Sequence, residues 1–282
     1  MITNIRIGLV IVSLVLVTVV LLPFQLVGLK YDLKIRRIIP RLWHRAACFL
    51  LGIRIRVHGR PDPRRPLMLS SNHVSWKDIM VLGAIADVAY IAKAEVADWP
   101  IFGTLAKLQK TIFVVREEKR RTGDQVNEIA SRMAGGEIVV LFPEGTTSDG
   151  NRLLPIKSSL FGAAAAAVPS APGGVVHVQP VAIAYTGVHG MAMGRYHRPI
   201  AAWPGDIELG PHLLGILREG AIEVDVAFGD PVEFRAGDNR KLLSQTITAR
   251  MRNLLIRHIR GRDYDLYAVT PKPDGSDATE KS

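Results

Sequence analysis

The stretch that decides the fold spans residues 138–150 and reads IVVLFPEGTTSDG. Its first five residues are all apolar, which predicts a central strand covered by helices on both faces. A turn that Pro143 and Gly145 help to define follows the strand at once. Glu144 comes directly after the buried strand, where a carboxylate is costly unless it serves a purpose. This stretch therefore predicts a sheet core that ends in a polar site.

Six further short β-rich runs alternate with helical stretches beyond residue 53. They cover residues 53–58, 66–71, 88–92, 111–115, 176–185 and 221–228. This alternation predicts an α/β fold with a mostly parallel central sheet flanked by helices. Pro180 predicts a bulge or an edge position in its run. Alternating polar and apolar residues predict a half-exposed edge at residues 222–226, and an apolar stripe predicts that a helix at residues 241–259 packs on the sheet.

The N-terminal segment is a predicted membrane anchor. Residues 7–29 carry no charge and are long enough to cross a hydrocarbon core of ~30 Å. Nine basic residues follow between positions 30 and 60, opposed only by Asp32. The positive-inside rule then places the following domain on the cytoplasmic face of the inner membrane, and the basic cluster predicts contact with an anionic membrane surface. Residues 38–53 fit a helix lying on the bilayer and an ordinary core helix equally well.

Length and composition limit the remaining possibilities. We expect a membrane anchor with an interfacial helix at 1–52, a catalytic domain at 53–262 and a disordered tail at 263–282. The net charge of +10 predicts an anionic partner. Nucleic acid is not expected, because the basic residues crowd beside the apolar segment and no nucleic-acid-binding motif accompanies them. The spacing of the eight histidines, the single cysteine and the lack of a glycine-rich phosphate loop predict neither a metal nor a cofactor.

Polar side chains follow three of the predicted strands directly. Asn72 and His73 follow the run at 66–71, Arg116 follows the run at 111–115, and Glu144 follows the central strand. Ligands of open α/β sheets bind at the carboxyl ends of the strands. We therefore expect a base, a cation and a carboxylate to meet in one cleft.

The spacing of His73 and Asp78 predicts how the first of these segments folds. Five positions correspond to about 140° around a helix, so the two side chains cannot share a helical face, and His73 must precede the helix. Ser75 and Asp78 have the spacing of a capping box at the helix start. Asp78 could also accept a hydrogen bond from the His73 ring and so fix its tautomer. The alternative is a purely capping Asp78 with His73 in a packing role.

Four segments between residues 66 and 185 occur in a specific order: NHVSWKD, IFVVRE, LFPEGTTSDG and VQPVAIAY. They resemble the four motif blocks of the lysophospholipid acyltransferase family of the 1-acylglycerol-3-phosphate type, including its N-H-x4-D and F-P-E-G motifs. The resemblance implies acyl transfer from acyl-CoA or acyl carrier protein to the hydroxyl of 1-acylglycerol-3-phosphate, which makes phosphatidic acid. It also implies that His73 is the general base and that Asp78 orients it. The acceptor-binding residues that it implies are Arg116, Glu144 and Gly145, and we include Thr146 among the predicted substrate-binding residues.

One position departs from that family pattern. Thr147 stands where the family commonly has arginine, which removes a cation from the expected phosphate pocket. Lys107, Arg152 or Lys157 could supply the charge, and we include Lys107 among the predicted substrate-binding residues. Alternatively the acceptor carries no phosphate monoester, as in the related enzymes that complete ornithine lipids, which makes lyso-ornithine lipid O-acylation the second prediction. A non-catalytic adaptor that binds anionic lipid through residues 30–60 is the prediction from another class.

Overall fold

The computed structural model describes residues 2–115, 119–205 and 207–260, so the predicted tail at 263–282 lies outside the described residues. The helices are α1 (Ile2–Lys30), α2 (Ile35–Leu50), α3 (Lys77–Ile85), α4 (Phe102–Leu108), α5 (Lys119–Ala134), α6 (Gly162–Ala167), α7 (Leu209–Glu219) and α8 (Arg240–Arg260). The strands are β1 (Ile53–His58), β2 (Leu67–Ser71), β3 (Val88–Lys93), β4 (Ile112–Val114), β5 (Ile138–Leu141), β6 (Val175–Val188), β7 (Met191–Ala192), β8 (Ile222–Phe228) and β9 (Val232–Arg235).

All described strands belong to one sheet, whose order is β1-β8-β6-β2-β5-β3-β4, with β7 and β9 also paired to β6. Strands β6, β2, β5, β3 and β4 run parallel, whereas β8 is antiparallel to β6 and parallel to β1. Each of the seven predicted runs contains a strand, and the predicted α/β class is confirmed. The short strands β7 and β9 were not predicted.

Two expectations about sheet edges are corrected. β8 is an inner strand between β1 and β6, not an edge, and its acidic side chains Glu223 and Asp225 pair with Arg56 on β1. β6 is also an inner strand, and Pro180 lies where one partner of β6 gives way to the next. Val178 is the last residue of β6 paired with β9, and Val181 is the first paired with β8. The missing N–H of Pro180 therefore interrupts no ladder on that side.

Helices cover both faces of the sheet, as the apolar central strand requires. Leu69 and Val140 point to the side of α2 and α3, where they share a core with Val81. Met68 and Val139 point to the other side, where α5, α6 and α8 pack. The α8 stripe is buried there at Leu243, Ile247, Met251 and Leu255, which confirms the predicted packing. Because helices cover both faces of the sheet, β2 and β5 are accessible at their carboxyl ends, between the two helical layers.

Helix α1 lies along the domain instead of standing away from it. By length and composition it is the one helix in the described part of the chain that could cross a membrane. Near its start, Arg6 donates hydrogen bonds to Leu217 O and Arg218 O at the end of α7. Near its end, Gln25 Nε2 donates to Leu108 O at 2.6 Å. The opposite face is apolar and exposed along most of the helix.

Helix α2 fills the space between α1 and α3 and combines features of both predictions for its segment. Its inner face buries Ile39, Ala47 and Cys48, as a core helix would. Its outer face leaves Phe49 83% exposed, beside other exposed apolar residues, as an interfacial helix would. The contact with α3 is close because Gly83 lies directly against the ring of His44.

Replacing Gly83 with alanine should destabilise the fold. A Cβ at this position would lie 2.4 Å from His44 Cδ2, and the ring is itself held by a 2.8 Å hydrogen bond between its Nε2 and Gln109 Oε1. Overpacking of this kind costs about 1–3 kcal/mol, so the melting temperature of Gly83→Ala should fall by several degrees. Gly215→Ala in α7 is the matched control, because nothing lies within 4 Å of its Cβ. Equal melting temperatures for the two variants would contradict the close α2–α3 contact.

Candidate active site

His73 and Asp78 meet at the carboxyl end of β2. His73 lies in the loop after the strand, and its Nδ1 is 2.8 Å from Asp78 Oδ2 in the first turn of α3. Asp78 is fully buried, whereas the His73 side chain is 19% exposed. An ionised carboxylate only accepts hydrogen bonds, so Nδ1 carries the proton and Nε2 has the free lone pair. The arrangement can take a proton at Nε2 and stabilise the resulting imidazolium.

Asp78 both caps the helix and contacts the His73 ring, so a purely capping Asp78 does not account for its contacts. Its Oδ2 also accepts hydrogen bonds from the main-chain N–H groups of Val74 at 2.6 Å and Ser75 at 2.9 Å. The bond to Ser75 is the carboxylate half of the expected capping box. Its Oδ1 accepts a hydrogen bond from the hydroxyl of Tyr185 on β6 at 2.8 Å. The carboxylate therefore joins loop, helix and sheet.

Glu144 holds the main chain of His73 from the neighbouring strand. Its Oε2 accepts from His73 N at 2.6 Å, and its Oε1 accepts from Leu154 N at 2.7 Å. Burial raises the pKa of Glu144 to about 7, although these two N–H groups lower it. The Phe142 ring stacks on the His73 ring with centroids 4.1 Å apart. Main chain and ring of the histidine are thus fixed by the stretch that forms the central strand and its turn.

A cavity of about 660 Å³ opens beside His73 at this edge of the sheet. Apolar side chains of β4, α5 and α6 line one part of it, and Gly145, Thr146 and Thr147 line another. Two cations, Lys93 and Lys157, also line the cavity. The cavity therefore offers an apolar region and a polar region within reach of one base.

The predicted binding residues separate into four groups. Gly145 and Thr146 line the cavity, and Glu144 supports His73 from behind. Lys107 is exposed on α4 and is not among the residues that line the cavity. Arg116 lies outside the described residues, although Val115, which precedes it, lines the cavity. The structure thus brings together the histidine, both carboxylates and the turn, but not Lys107.

Lys77 is a buried residue of this site that the sequence did not single out. Its Nζ donates to Ser75 Oγ at 2.9 Å and to Ala201 O at 2.7 Å. The ammonium lies 5.2 Å from the centre of the Tyr185 ring. Burial lowers its pKa to about 7, opposed by the charge of Asp78. A lysine at the first position of a helix whose residues after Asp78 are all apolar or glycine was the available signal.

A segment that begins at Ala201 forms one wall of the site. Thr147 Oγ1 donates to Trp203 O at 2.5 Å, and Trp203 N donates to Val74 O at 2.8 Å. The hydroxyl of Thr147 is therefore engaged with the main chain. Where the family pattern has arginine, Thr147 therefore supplies a hydroxyl and no positive charge.

This combination of fold and site is that of an acyl-transferring enzyme, and comparison with known proteins agrees. The "Acyltransferase" family model matches residues 54–184. A "Lyso-ornithine lipid O-acyltransferase" of Rhizobium meliloti (strain 1021) is 62% identical over 280 residues, covering 99% of this chain and 96% of the relative. A protein of the same name from Brucella abortus (strain 2308) is 53% identical over 263 residues, covering 93% and 98%.

A solved structure adds the fold. The 1-acyl-sn-glycerophosphate acyltransferase of Thermotoga maritima matches with a TM-score of 0.60 at 18% identity, covering 92% of this chain and 98% of that one. The chain belongs to the lysophospholipid acyltransferase family. It is an acyltransferase of lipid biosynthesis that takes an acyl donor and a lysolipid acceptor, which rules out the non-catalytic adaptor.

Replacing Glu144 with glutamine should reduce activity through the position of His73. The single carbonyl oxygen of glutamine can accept from His73 N or from Leu154 N, but its amide group cannot accept from the other. One buried N–H then lacks a partner, which costs about 1–3 kcal/mol. We expect a lower melting temperature and slower acceptor-dependent thiol release. Glu128→Gln, at an exposed position of α5, is the control, and wild-type rates in Glu144→Gln would refute the positioning role.

Proposed function

We propose that this enzyme transfers a fatty acyl group from a thioester, acyl-CoA or acyl carrier protein, to the free hydroxyl of a lyso-ornithine lipid. The observation that carries the proposal is the 62% identity to a lyso-ornithine lipid O-acyltransferase along almost the whole of both chains. The 1-acylglycerol-3-phosphate acceptor favoured by the motifs is now the second candidate. The motif blocks are common to both kinds of enzyme and do not distinguish them.

The polar part of the cavity supports the same acceptor. A phosphate monoester carries nearly two negative charges and is usually bound by arginine forks. An ornithine headgroup carries a carboxylate and an amino group instead. Thr147 provides a hydroxyl where the family pattern has arginine, and this hydroxyl is bound to Trp203 O. Lys93 and Lys157 remain as single-point cations suited to a carboxylate.

In the proposed mechanism His73 is the general base. Nε2 takes the proton of the acceptor hydroxyl as the hydroxyl oxygen forms a bond to the thioester carbonyl carbon. Asp78 holds Nδ1–H at 2.8 Å and stabilises the imidazolium. The carbon–sulfur bond then breaks, and the imidazolium returns its proton to the leaving thiolate. Glu144 keeps His73 in place from the main chain, and the roles of Gly145, Thr146 and Arg116 in acceptor binding remain part of the proposal.

We further propose that the enzyme is attached to the cytoplasmic leaflet of the inner membrane with α1 lying along the surface. Arg6 and Gln25, near opposite ends of α1, both contact the catalytic domain. Trp43 Nε1 of α2 donates to Thr18 Oγ1 at 2.9 Å between them. A helix held along its length can bury its exposed apolar face in one leaflet without crossing the bilayer. The apolar length of α1 and the basic residues after it support attachment to this membrane.

Replacing His73 with alanine should reduce acceptor-dependent thiol release by roughly 10²–10⁴-fold, the usual contribution of a general base. Asp78→Asn should also lower the rate strongly, because an amide cannot stabilise the imidazolium. His189→Ala is the matched control, because His189 is exposed and does not line the cavity. Thiol release at the wild-type rate in a folded His73→Ala variant would overturn the mechanism.

Acceptor choice can be measured directly with labelled acyl donor and both lysolipids side by side. We expect lyso-ornithine lipid to be acylated at least about tenfold faster than 1-acylglycerol-3-phosphate, the effect of roughly 1.4 kcal/mol. Thr147→Arg should lower the ratio of the rate with lyso-ornithine lipid to the rate with 1-acylglycerol-3-phosphate, because it supplies a guanidinium for the phosphate. Thr147→Ser should leave this ratio unchanged. Preference of the wild-type enzyme for 1-acylglycerol-3-phosphate would reject the proposed acceptor.

A further inference from the structure

A second polar cavity, of about 390 Å³, lies at the opposite edge of the sheet from His73. It is bounded by α2, by the ends of α3 and α5, and by the first residues of β3 and β5. No described residue lines both this cavity and the catalytic one. We call it the basic cavity, after the six cations that line it: Arg36, Arg37, Arg41, Arg65, Lys110 and Arg132.

The carboxylates of the basic cavity do not balance these cations. Among the described residues, Asp87 and Glu137 are the carboxylates that line it. Asp32, which does not line it, pairs with Arg36 at 2.8 Å and with Lys110 at 3.7 Å, so six cations face three carboxylates in all. Glu137 is paired with Arg132, Nε to Oε2 at 2.7 Å. Asp87 lies 3.9 Å from Arg37. Burial raises the pKa of the Asp87 carboxyl, although the arginines of α2 lower it.

Two of the arginines are held in place by neutral groups. Arg41 Nη2 donates to Ile85 O at 2.7 Å, and Arg65 Nη1 donates to Asp62 O at 2.6 Å. A carbonyl oxygen orients a guanidinium without cancelling its charge. Burial also lowers the pKa of Arg65, as expected for a cation that is partly removed from water. An anion with several oxygens would relieve this excess, and guanidinium forks match phosphate in particular.

The outer face of α2 indicates where such an anion would come from. Arg37, Arg41 and Arg45 recur every four residues and form one stripe of this face. The adjacent stripe leaves Ile38 53% and Leu42 44% exposed, together with Phe49. A helix with this pattern lies at the membrane surface with its apolar stripe among the acyl chains and its arginines at headgroup level. Arg37 and Arg41 belong both to the stripe and to the basic cavity.

We propose that the basic cavity binds the phosphate-bearing headgroup of an anionic membrane lipid, at a site separate from the catalytic cavity. This inference rests on the proposed attachment of α1 and α2 to one leaflet. The cations of α2 face the headgroup layer, and Arg65 approaches the same phosphate from the opposite wall. The lipid is a ligand of the enzyme and takes no part in the chemistry at His73.

The test compares two adjacent arginines in the full chain. Arg65→Gln removes a cation from the cavity wall, whereas Arg64→Gln removes the same charge from a residue that pairs with Asp62 and Glu233 and does not line the cavity. Binding is measured by cosedimentation with phosphatidylcholine vesicles, with and without roughly 20 mol % phosphatidylglycerol. Salt at about 0.5 M suppresses general surface attraction, which is screened more strongly than a buried pair.

We expect phosphatidylglycerol to strengthen binding of the wild type even at this salt concentration. Arg65→Gln should reduce that gain roughly five- to tenfold, and Arg64→Gln should change it less than about twofold. Equal losses in both variants, or no gain from phosphatidylglycerol, would overturn the proposal. So would full competition by inorganic phosphate, which would make a free anion the ligand. A melting temperature for each variant separates loss of binding from loss of fold.

The same samples distinguish this proposal from the ones before it. Failure to bind vesicles of either composition would reject leaflet attachment itself. Binding to phosphatidylcholine without a gain from phosphatidylglycerol would reject only the headgroup site. Acyl transfer to lyso-ornithine lipid, measured in parallel, reports on the catalytic cavity, and Arg65→Gln should retain it in detergent micelles without anionic lipid.

Discussion

The buried carboxylate of Asp78 is the constraint on which the catalytic end of the molecule depends. Four donors converge on it: the His73 ring, the main-chain N–H groups of Val74 and Ser75, and the Tyr185 hydroxyl. Leaving one of these bonds unmade in the interior would cost about 1–3 kcal/mol, so the loop, the helix start and β6 are held in one arrangement. The carboxylate that caps the start of α3 therefore also orients the ring of the proposed base. Glu144, which follows the neighbouring strand β5, plays a similar part. Its two carboxylate oxygens accept hydrogen bonds from main-chain N–H groups, and one of these bonds fixes the backbone of His73.

Local sequence patterns located seven of the described strands, but not β7 or β9 and not the order of the strands in the sheet. The run at 138–142 is apolar throughout, and β5 is indeed covered on both faces. The alternation at 222–226 predicted a half-exposed edge because Glu223 and Asp225 alternate with apolar residues. In the fold Asp225 accepts hydrogen bonds from Arg56 on β1, a residue 169 positions away, and from Thr186. Burial alone would raise the pKa of Asp225, but these bonds and one from His58 bring it down to about 2. The sequence around a charged residue does not show whether its side chain is paired with a residue of a neighbouring strand or is exposed to water.

The same distinction separates the site residues that the sequence predicted from those it did not. His73 and Glu144 follow strands directly, so a rule about strand ends locates them without knowledge of the tertiary structure. That rule applies equally to Lys93 at the end of β3, which lines the catalytic cavity but was not selected. Lys107 was predicted only because the phosphate pocket lacked a cation at Thr147, and not from its position relative to the strands. It lies on the exposed face of α4. Lys77 and Tyr185 act through contacts between β6, α3 and the segment at Ala201, which no local pattern contains.

The position of α1 links the two ends of the molecule. An apolar cavity of about 190 Å³ lies beneath α1, and Leu21 and Leu22 line it. Val96 and Trp99 line both this cavity and the catalytic one, whereas His44 and Gln109 line both it and the basic cavity. The apolar cavity therefore adjoins both of the others, and residues of α1 and α2 line it, whereas no described residue of these two helices lines the catalytic cavity. A molecule that lies flat on one leaflet, as proposed, brings the apolar and basic cavities close to the same lipid layer, which a helix crossing the bilayer at a distance from the domain would not do. The contacts of Arg6 and Gln25 with the domain hold α1 in place over the apolar cavity, which shares lining residues with the catalytic cavity.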